Sequence, residues 1–95
     1  MSVELRFEVA RDVHSRRFHD ELVVLDLVHG EYFALDEVGS RVWEGLRDRQ
    51  SVAHIVAALA TVYDTDVARL EADVLAFVQE LVRRHLVVPV GASSG

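Results

Sequence analysis

The sequence predicts an α+β fold, with a three-stranded antiparallel sheet followed by three helices. Apolar and charged residues alternate at the start of the chain, and a run rich in β-branched residues covers Leu22–Val28. After Asp36 the apolar spacing changes from two residues to three or four, which is typical of helices. Strands and helices are therefore separated along the chain, as in an α+β domain. We expect one domain at residues 1–90 and a flexible tail at residues 91–95.

The three predicted strands lie in the first third of the chain. Val3–Val9 alternates apolar with charged residues, which indicates a half-buried strand. The charged stretch Arg11–Glu21 is expected to be a loop. Leu22–Val28 and Glu31–Leu35 then form a hairpin, whose two-residue turn, His29-Gly30, uses the positive φ that glycine allows. This hairpin and the first strand make up the predicted sheet.

Each predicted helix begins at a residue whose side chain suits an N-cap. Asp36 precedes the first helix and Ser51 precedes the second. The segment Asp64–Asp66 ends the second helix and caps a third helix, which is expected to run from about Val67 to Leu86.

The third helix carries an unusually wide apolar surface. At 100° per residue, its apolar side chains span roughly 180°, whereas packing on one side needs only about 100°. A central helix that packs on several neighbours explains this width. Alternatively, one flank packs the core and the other lies beside a sheet edge and binds a partner. The residues are Leu70, Val74, Leu75, Phe77, Val78, Leu81, Val82 and Leu86.

Composition argues against several classes of protein. The chain has 95 residues, a formal charge of −6 and no cysteine, so a disulfide framework is impossible and a nucleic-acid partner is disfavoured. No apolar stretch approaches the roughly 18 residues of a membrane span. The N-terminus also lacks the basic and apolar regions of a signal peptide. We therefore expect a cytoplasmic protein without a membrane partner.

The residues that could carry chemistry do not form a recognised catalytic or metal-binding pattern. The five histidines lack a known ligand spacing. Asp64-Thr65-Asp66 resembles the start of a calcium loop, but Arg69 replaces its glycine and Leu75 its final glutamate. Ser40 lacks a nucleophile-elbow motif. The sequence therefore predicts a binding module, with no enzymatic activity, cofactor or metal.

Several weakly specific features between Leu22 and Val88 match the pattern of one family. A strand ends in the pair Leu35-Asp36, and the third helix contains Asp73-Val74. The remaining matches are Gly39, Trp43, Phe77, Leu81 and Leu86. His85 stands where the family usually has a helix-ending glycine. With these features the chain resembles the PqqD-like family, the precursor-peptide recognition elements of ribosomal peptide biosynthesis.

The resemblance implies a winged helix-turn-helix-like domain that binds the leader segment of a precursor peptide. The leader would add as a strand to the edge of the third predicted strand, in a groove bordered by the third helix. A stand-alone chain of this length is most similar to the split leader-binding proteins of lasso-peptide clusters, whose leaders carry a Y-x-x-P-x-L spacing. The implied protein partner is a separate leader peptidase, with a cyclase as a further candidate.

The resemblance also implies a set of peptide-binding residues. Core packing is the alternative role for each apolar member of the set, and a solvated helix surface is the alternative for Asp73. Tyr32 and Phe33 point to opposite faces of their strand, so only one of them can face the core, and the register decides which. The set is Val28, Glu31, Tyr32, Phe33, Ala34, Leu70, Asp73, Val74, Phe77 and Leu81.

Other functions are compatible with the same pattern. A PqqD-like chaperone that presents its peptide to a radical-SAM enzyme would have the same fold and groove. A winged-helix transcription regulator is disfavoured, because basic and acidic residues balance along the third helix. An open edge strand could also pair with a second copy of the chain. We expect a monomer or a weak dimer.

Overall fold

Five strands and three helices form residues 4–90, the part of the chain that this computed structural model describes. In chain order they are β1 (Phe7–Val9), β2 (Val13–Phe18), β3 (Glu21–Asp26), β4 (Glu31–Leu35), α1 (Glu37–Arg47), α2 (Val52–Val62), α3 (Val67–Arg83) and β5 (Val87–Pro89). The tail predicted at residues 91–95 lies outside the described residues.

The three-stranded antiparallel sheet has the order β2-β3-β4, and β1 pairs with β5 in a separate two-stranded sheet. The α+β fold class is confirmed. The prediction that the first strand belongs to this sheet is wrong. The prediction of a loop at Arg11–Glu21 is also wrong, because this segment contains β2. The core-side positions of β2 are Val13, Ser15 and Arg17, as their buried partners on β3 show. Only one of the three is apolar, so β2 lacks the alternation that marks a half-buried strand.

The connection between β3 and β4 contains four residues rather than two. Leu27 to Gly30 form the turn, and Gly30 has a φ of 68°. Asp26 Oδ1 accepts hydrogen bonds from the backbone N–H groups of Val28 (3.0 Å) and His29 (3.2 Å). Asp26 Oδ2 lies 2.7 Å from Nδ1 of the His29 ring. Because Asp26 organises the turn in this way, β3 ends there and Val28 is not part of a strand.

Acidification is expected to weaken this turn. The pKa of Asp26 is held below its ordinary value of 3.8, mainly by the hydrogen bond with the His29 ring. Burial raises this pKa, and the hydrogen bonds from the two backbone N–H groups lower it further. A lowered pKa means that the carboxylate stabilises the folded state above pH 3.8 and that this contribution disappears as the pH falls through the folded-state pKa. Denaturant titrations from about pH 5 down to about pH 3 should show a larger loss of stability in the wild type than in Asp26→Asn. Equal losses would contradict this role.

The three N-caps predicted from the sequence are confirmed. The side chain of Asp36 accepts from the backbone N–H of Gly39, that of Ser51 from His54, and that of Asp66 from Ala68. The cap at Asp36 follows β4 without a linker. The start of α1 is therefore fixed at the end of β4.

Helix α3 ends at Arg83, three residues before the predicted end at Leu86. His85 adopts a left-handed φ of 61°, and the backbone N–H of Leu86 donates to the carbonyl of Leu81 at 3.0 Å. This is the usual geometry in which a left-handed residue ends a helix. His85 thus takes the conformation for which the family pattern has glycine.

The core joins the larger sheet to the helices around the fully buried Trp43. Helices α1 and α2 approach closely at Gly45, where a Cβ atom would lie 2.7 Å from Cγ1 of Ile55. Helix α1 lies against β3 and β4, whereas α3 packs on α2 and β5. The space between α3 and β4 is therefore only partly filled.

Candidate functional site

Strand β4 lies at an edge of the three-stranded sheet. It pairs with β3 on one side, and among residues 4–90 no strand pairs with its other side. The backbone N–H and C=O groups that point to the free side are therefore available to a further strand.

The register of β3 and β4 decides which aromatic side chain faces the core. Phe33 lies opposite the buried Val24, and Tyr32 lies opposite Leu25. Cross-strand partners share a face, so Phe33 points toward the helices. Tyr32 lies on the outer face, with 72% of its surface exposed.

A mainly apolar pocket of about 500 Å³ lies between the end of β4, the start of α1 and helix α3. We call it the large pocket. Its side walls come from α1, from the α2–α3 connection and from α3. Carboxylates of Asp36 and Asp73 stand among the apolar lining. The lining residues are Ala34, Leu35, Asp36, Val38, Gly39, Val42, Tyr63, Thr65, Leu70, Asp73, Val74 and Phe77.

A second pocket, of about 200 Å³, continues along β4 toward the C-terminal end of α3. We call it the small pocket. It shares Ala34, Leu35 and Phe77 with the large pocket, so the two form one β4–α3 groove in which Phe77 contributes to both parts. The other lining residues of the small pocket are Val24, Phe33, Glu80, Leu81, Arg84 and Leu86.

Seven of the ten residues predicted for the site line this groove. Leu70, Val74 and Leu81 are buried core members that also line the pockets, so core packing does not exclude them from the groove. The other four are Phe33, Ala34, Asp73 and Phe77.

The remaining three predicted residues line neither pocket. Val28 lies in the β3–β4 turn with 64% of its surface exposed. Glu31 and Tyr32 belong to β4, the strand at the free edge of the sheet.

Sequence reasoning missed lining residues on α3 and on the segment before it. Glu80 and Arg84 line the small pocket, while Tyr63 and Thr65 line the large one. Phe77, Glu80 and Arg84 follow Asp73 at the spacing of one helical face. This spacing is the signal that could have identified Glu80 and Arg84 as groove residues. No comparable signal marks Thr65, since its position depends on how the α2–α3 connection folds.

Charged and polar groups at the groove differ in how they are bonded. Arg84 Nε donates to Glu80 Oε2 at 2.7 Å, and the Arg84 guanidinium lies 5.0 Å from the centre of the Phe33 ring. Hydrogen bonds from Arg83, and then from Arg84, lower the pKa of Glu80. The Asp73 carboxylate makes no hydrogen bond or ion pair with another residue of the described range 4–90. The buried Tyr63 hydroxyl likewise has no hydrogen-bond partner there.

The groove offers apolar pockets beside a free strand edge, and this geometry suits an extended peptide better than a compact polar ligand. Within residues 4–90, no group of three or more His, Cys, Asp or Glu side chains is placed to hold a metal ion. No helix in that range is long and apolar enough to cross a membrane.

The family described as "Coenzyme PQQ synthesis protein D (PqqD)" matches residues 21–87. The chain belongs to the PqqD family. The matched segment runs from the first residue of β3 to the first residue of β5, so it includes β4 and α3, the two sides of the groove. This membership confirms the resemblance to PqqD-like recognition elements that the sequence indicated.

Solved structures of similar proteins cover nearly the whole of this PqqD family member. "TbiB1 in Complex with the TbiA(beta) Leader Peptide" is 34% identical, with a TM-score of 0.80 over 90% of this chain and 98% of that chain. "Lasso peptide synthetase B1 complexed with the leader peptide" is 24% identical, with a TM-score of 0.82 over 88% and 99%, and shows the likeness of fold. A comparison with curated proteins found no match.

Proposed function

We propose that this PqqD family member is a non-catalytic protein of lasso peptide biosynthesis that binds the leader segment of a ribosomally made precursor peptide. The observation that carries the proposal is the apolar β4–α3 groove beside the free edge of β4. The likeness to TbiB1, which is 34% identical and was solved with a leader peptide, supports the same function.

In the proposed mode, the leader adds to β4 as a further strand. Backbone groups of Glu31 to Leu35 pair with it, and alternate leader side chains enter the two pockets. Leu70, Val74 and Phe77 supply the apolar wall on the helix side, and Leu81 extends this wall into the small pocket. Val28 and Tyr32 border the same edge from the turn and from the outer face.

Binding of the leader would place the precursor beside a maturation enzyme. We propose a separate leader peptidase as that enzyme. A domain that holds the leader and also contacts the peptidase raises the local concentration of the substrate at the active site, without taking part in the chemistry.

A titration with a fluorescent peptide that bears the Y-x-x-P-x-L spacing tests the proposal. We expect saturable binding with a Kd in the micromolar range or tighter. Replacing the Tyr, Pro or Leu of the peptide by Ala should weaken binding, and a scrambled peptide of the same composition should not bind. Failure of the folded protein to bind the peptide would contradict the assignment to lasso-peptide leaders.

A further inference from the structure

The two ends of the β4–α3 groove differ in their charged groups. The carboxylates of Asp36 and Asp73 line the large pocket, and no basic side chain of residues 4–90 does so. At the small pocket the charged lining residues are Glu80 and Arg84, and Arg83, which lies outside the lining, also bonds Glu80. The groove therefore presents carboxylates near the end of β4 and a guanidinium near the end of α3.

The Asp73 carboxylate and the terminal nitrogens of Arg84 are available to a ligand. Asp36 Oδ1 accepts from the N–H of Gly39, which fixes its position, whereas the Asp73 carboxylate has no partner within residues 4–90. The terminal nitrogens of Arg84 are also without a hydrogen bond in that range, since only Nε is bonded to Glu80. A guanidinium held at Nε keeps its outer N–H groups for a carboxylate.

Within residues 4–90, no charged residue outside the two pockets forms an ion pair with Asp73 or Arg84. Arg69 lies one helical turn before Asp73 and forms no ion pair with it in the described part of the chain. Glu31, at the start of β4, lies outside both pockets and forms no ion pair with Arg84.

We propose that Asp73 and Arg84 select leader segments by charge: a basic residue at the large-pocket end and an acidic residue at the small-pocket end. This inference rests on the proposed function. Arg84, the C-cap of α3, follows Asp73 by eleven positions, which is about 16 Å at 1.5 Å per residue. An extended peptide covers that distance in roughly five residues. The selected peptide therefore carries its opposite charges about four to six residues apart, on either side of its apolar anchors.

Two peptides of equal composition test this selection. Both carry the Y-x-x-P-x-L spacing, and they differ only in the order of one Lys and one Glu placed roughly five residues apart. We expect the wild-type protein to prefer one order by roughly fivefold to tenfold at low salt, and this preference to shrink as salt is added. The preferred order also gives the direction of the added strand, because in antiparallel addition the basic residue comes first.

The double variant Asp73→Lys with Arg84→Glu should reverse the preference. The matched control reverses two charges on the same helix outside the groove, by Glu71→Lys with Arg69→Glu, and should keep the wild-type preference. Equal affinity of the wild type for the two orders, or reversal by the control, would overturn the charge selection while leaving leader binding in place. Failure of every peptide to bind would overturn the proposed function itself.

Discussion

Replacing Phe77 by Asp is expected to weaken leader binding by about thirtyfold or more. Phe77 lines both pockets, and its ring reaches across to α1, where a Cβ atom at Gly39 would lie 3.6 Å from Phe77 Cζ. Aromatic side chains at the centre of an interface often contribute about 2 kcal/mol or more, which corresponds to roughly thirtyfold in Kd. The charged Asp side chain also disfavours apolar leader residues at this point. Titration with the fluorescent leader measures the effect.

The control for this variant separates binding from folding. Phe77 packs partly against the core, so Phe77→Asp must first be shown to fold, for example by its thermal transition. Leu75→Asp is the matched variant, because Leu75 is half-buried on the same helix, packs against the core and lines neither pocket. It should cost stability and keep its affinity for the leader. If the two folded variants lose affinity equally, Phe77 does not mark the binding groove.

Methylating the leader backbone, one amide at a time, should weaken binding at every second residue. In an added strand, alternate N–H groups point to β4 and the others point away. N-methylation removes the donor and inserts a methyl group between the strands, so we expect a loss of roughly tenfold at each paired amide and little change at its neighbours. The same titration, repeated for each methylated peptide, gives the pattern.

The period of this pattern is what identifies strand addition. The pattern does not depend on where the leader begins to pair, because a shift of register moves the sensitive positions without changing their spacing. Methylation outside the Y-x-x-P-x-L segment serves as the control. Equal losses at consecutive amides, or no losses at all, would mean that the leader binds the pockets without pairing with β4.

Local chemistry accounts for the elements that the sequence predicted correctly. Asp36, Ser51 and Asp66 act as N-caps because each side chain bonds a nearby backbone N–H, within three residues. The helical spacing on α3 likewise placed Leu70, Val74 and Phe77 on the wall of the groove. Such signals need only neighbouring residues, so they are readable without the fold.

Contacts between distant segments account for what could not be predicted. Arg17 of β2 lies on the same face as the buried Leu22 of β3, and its Nη2 donates to Glu44 Oε2 on α1 at 2.8 Å. An exposed charged residue therefore stands where an alternating strand would have an apolar one. The inward position of Phe33 follows from its register with Val24. Tyr63 reaches the groove only because α2 and the connection after it pack beside α1 and α3.

The pairing of β1 with β5 has a consequence for the order of folding. Phe7 lies opposite Pro89, so this pair closes nearly the whole chain into a loop, whereas β3 and β4 are joined by a turn of four residues. Long loops cost more entropy to close and their contacts form late. The hairpin that carries the free edge should therefore form early, and β1 should gain its strand partner last. During synthesis, Phe7 can pair with Pro89 only after Pro89 has left the ribosome. The fully buried Phe7 side chain therefore reaches its final environment only at that stage.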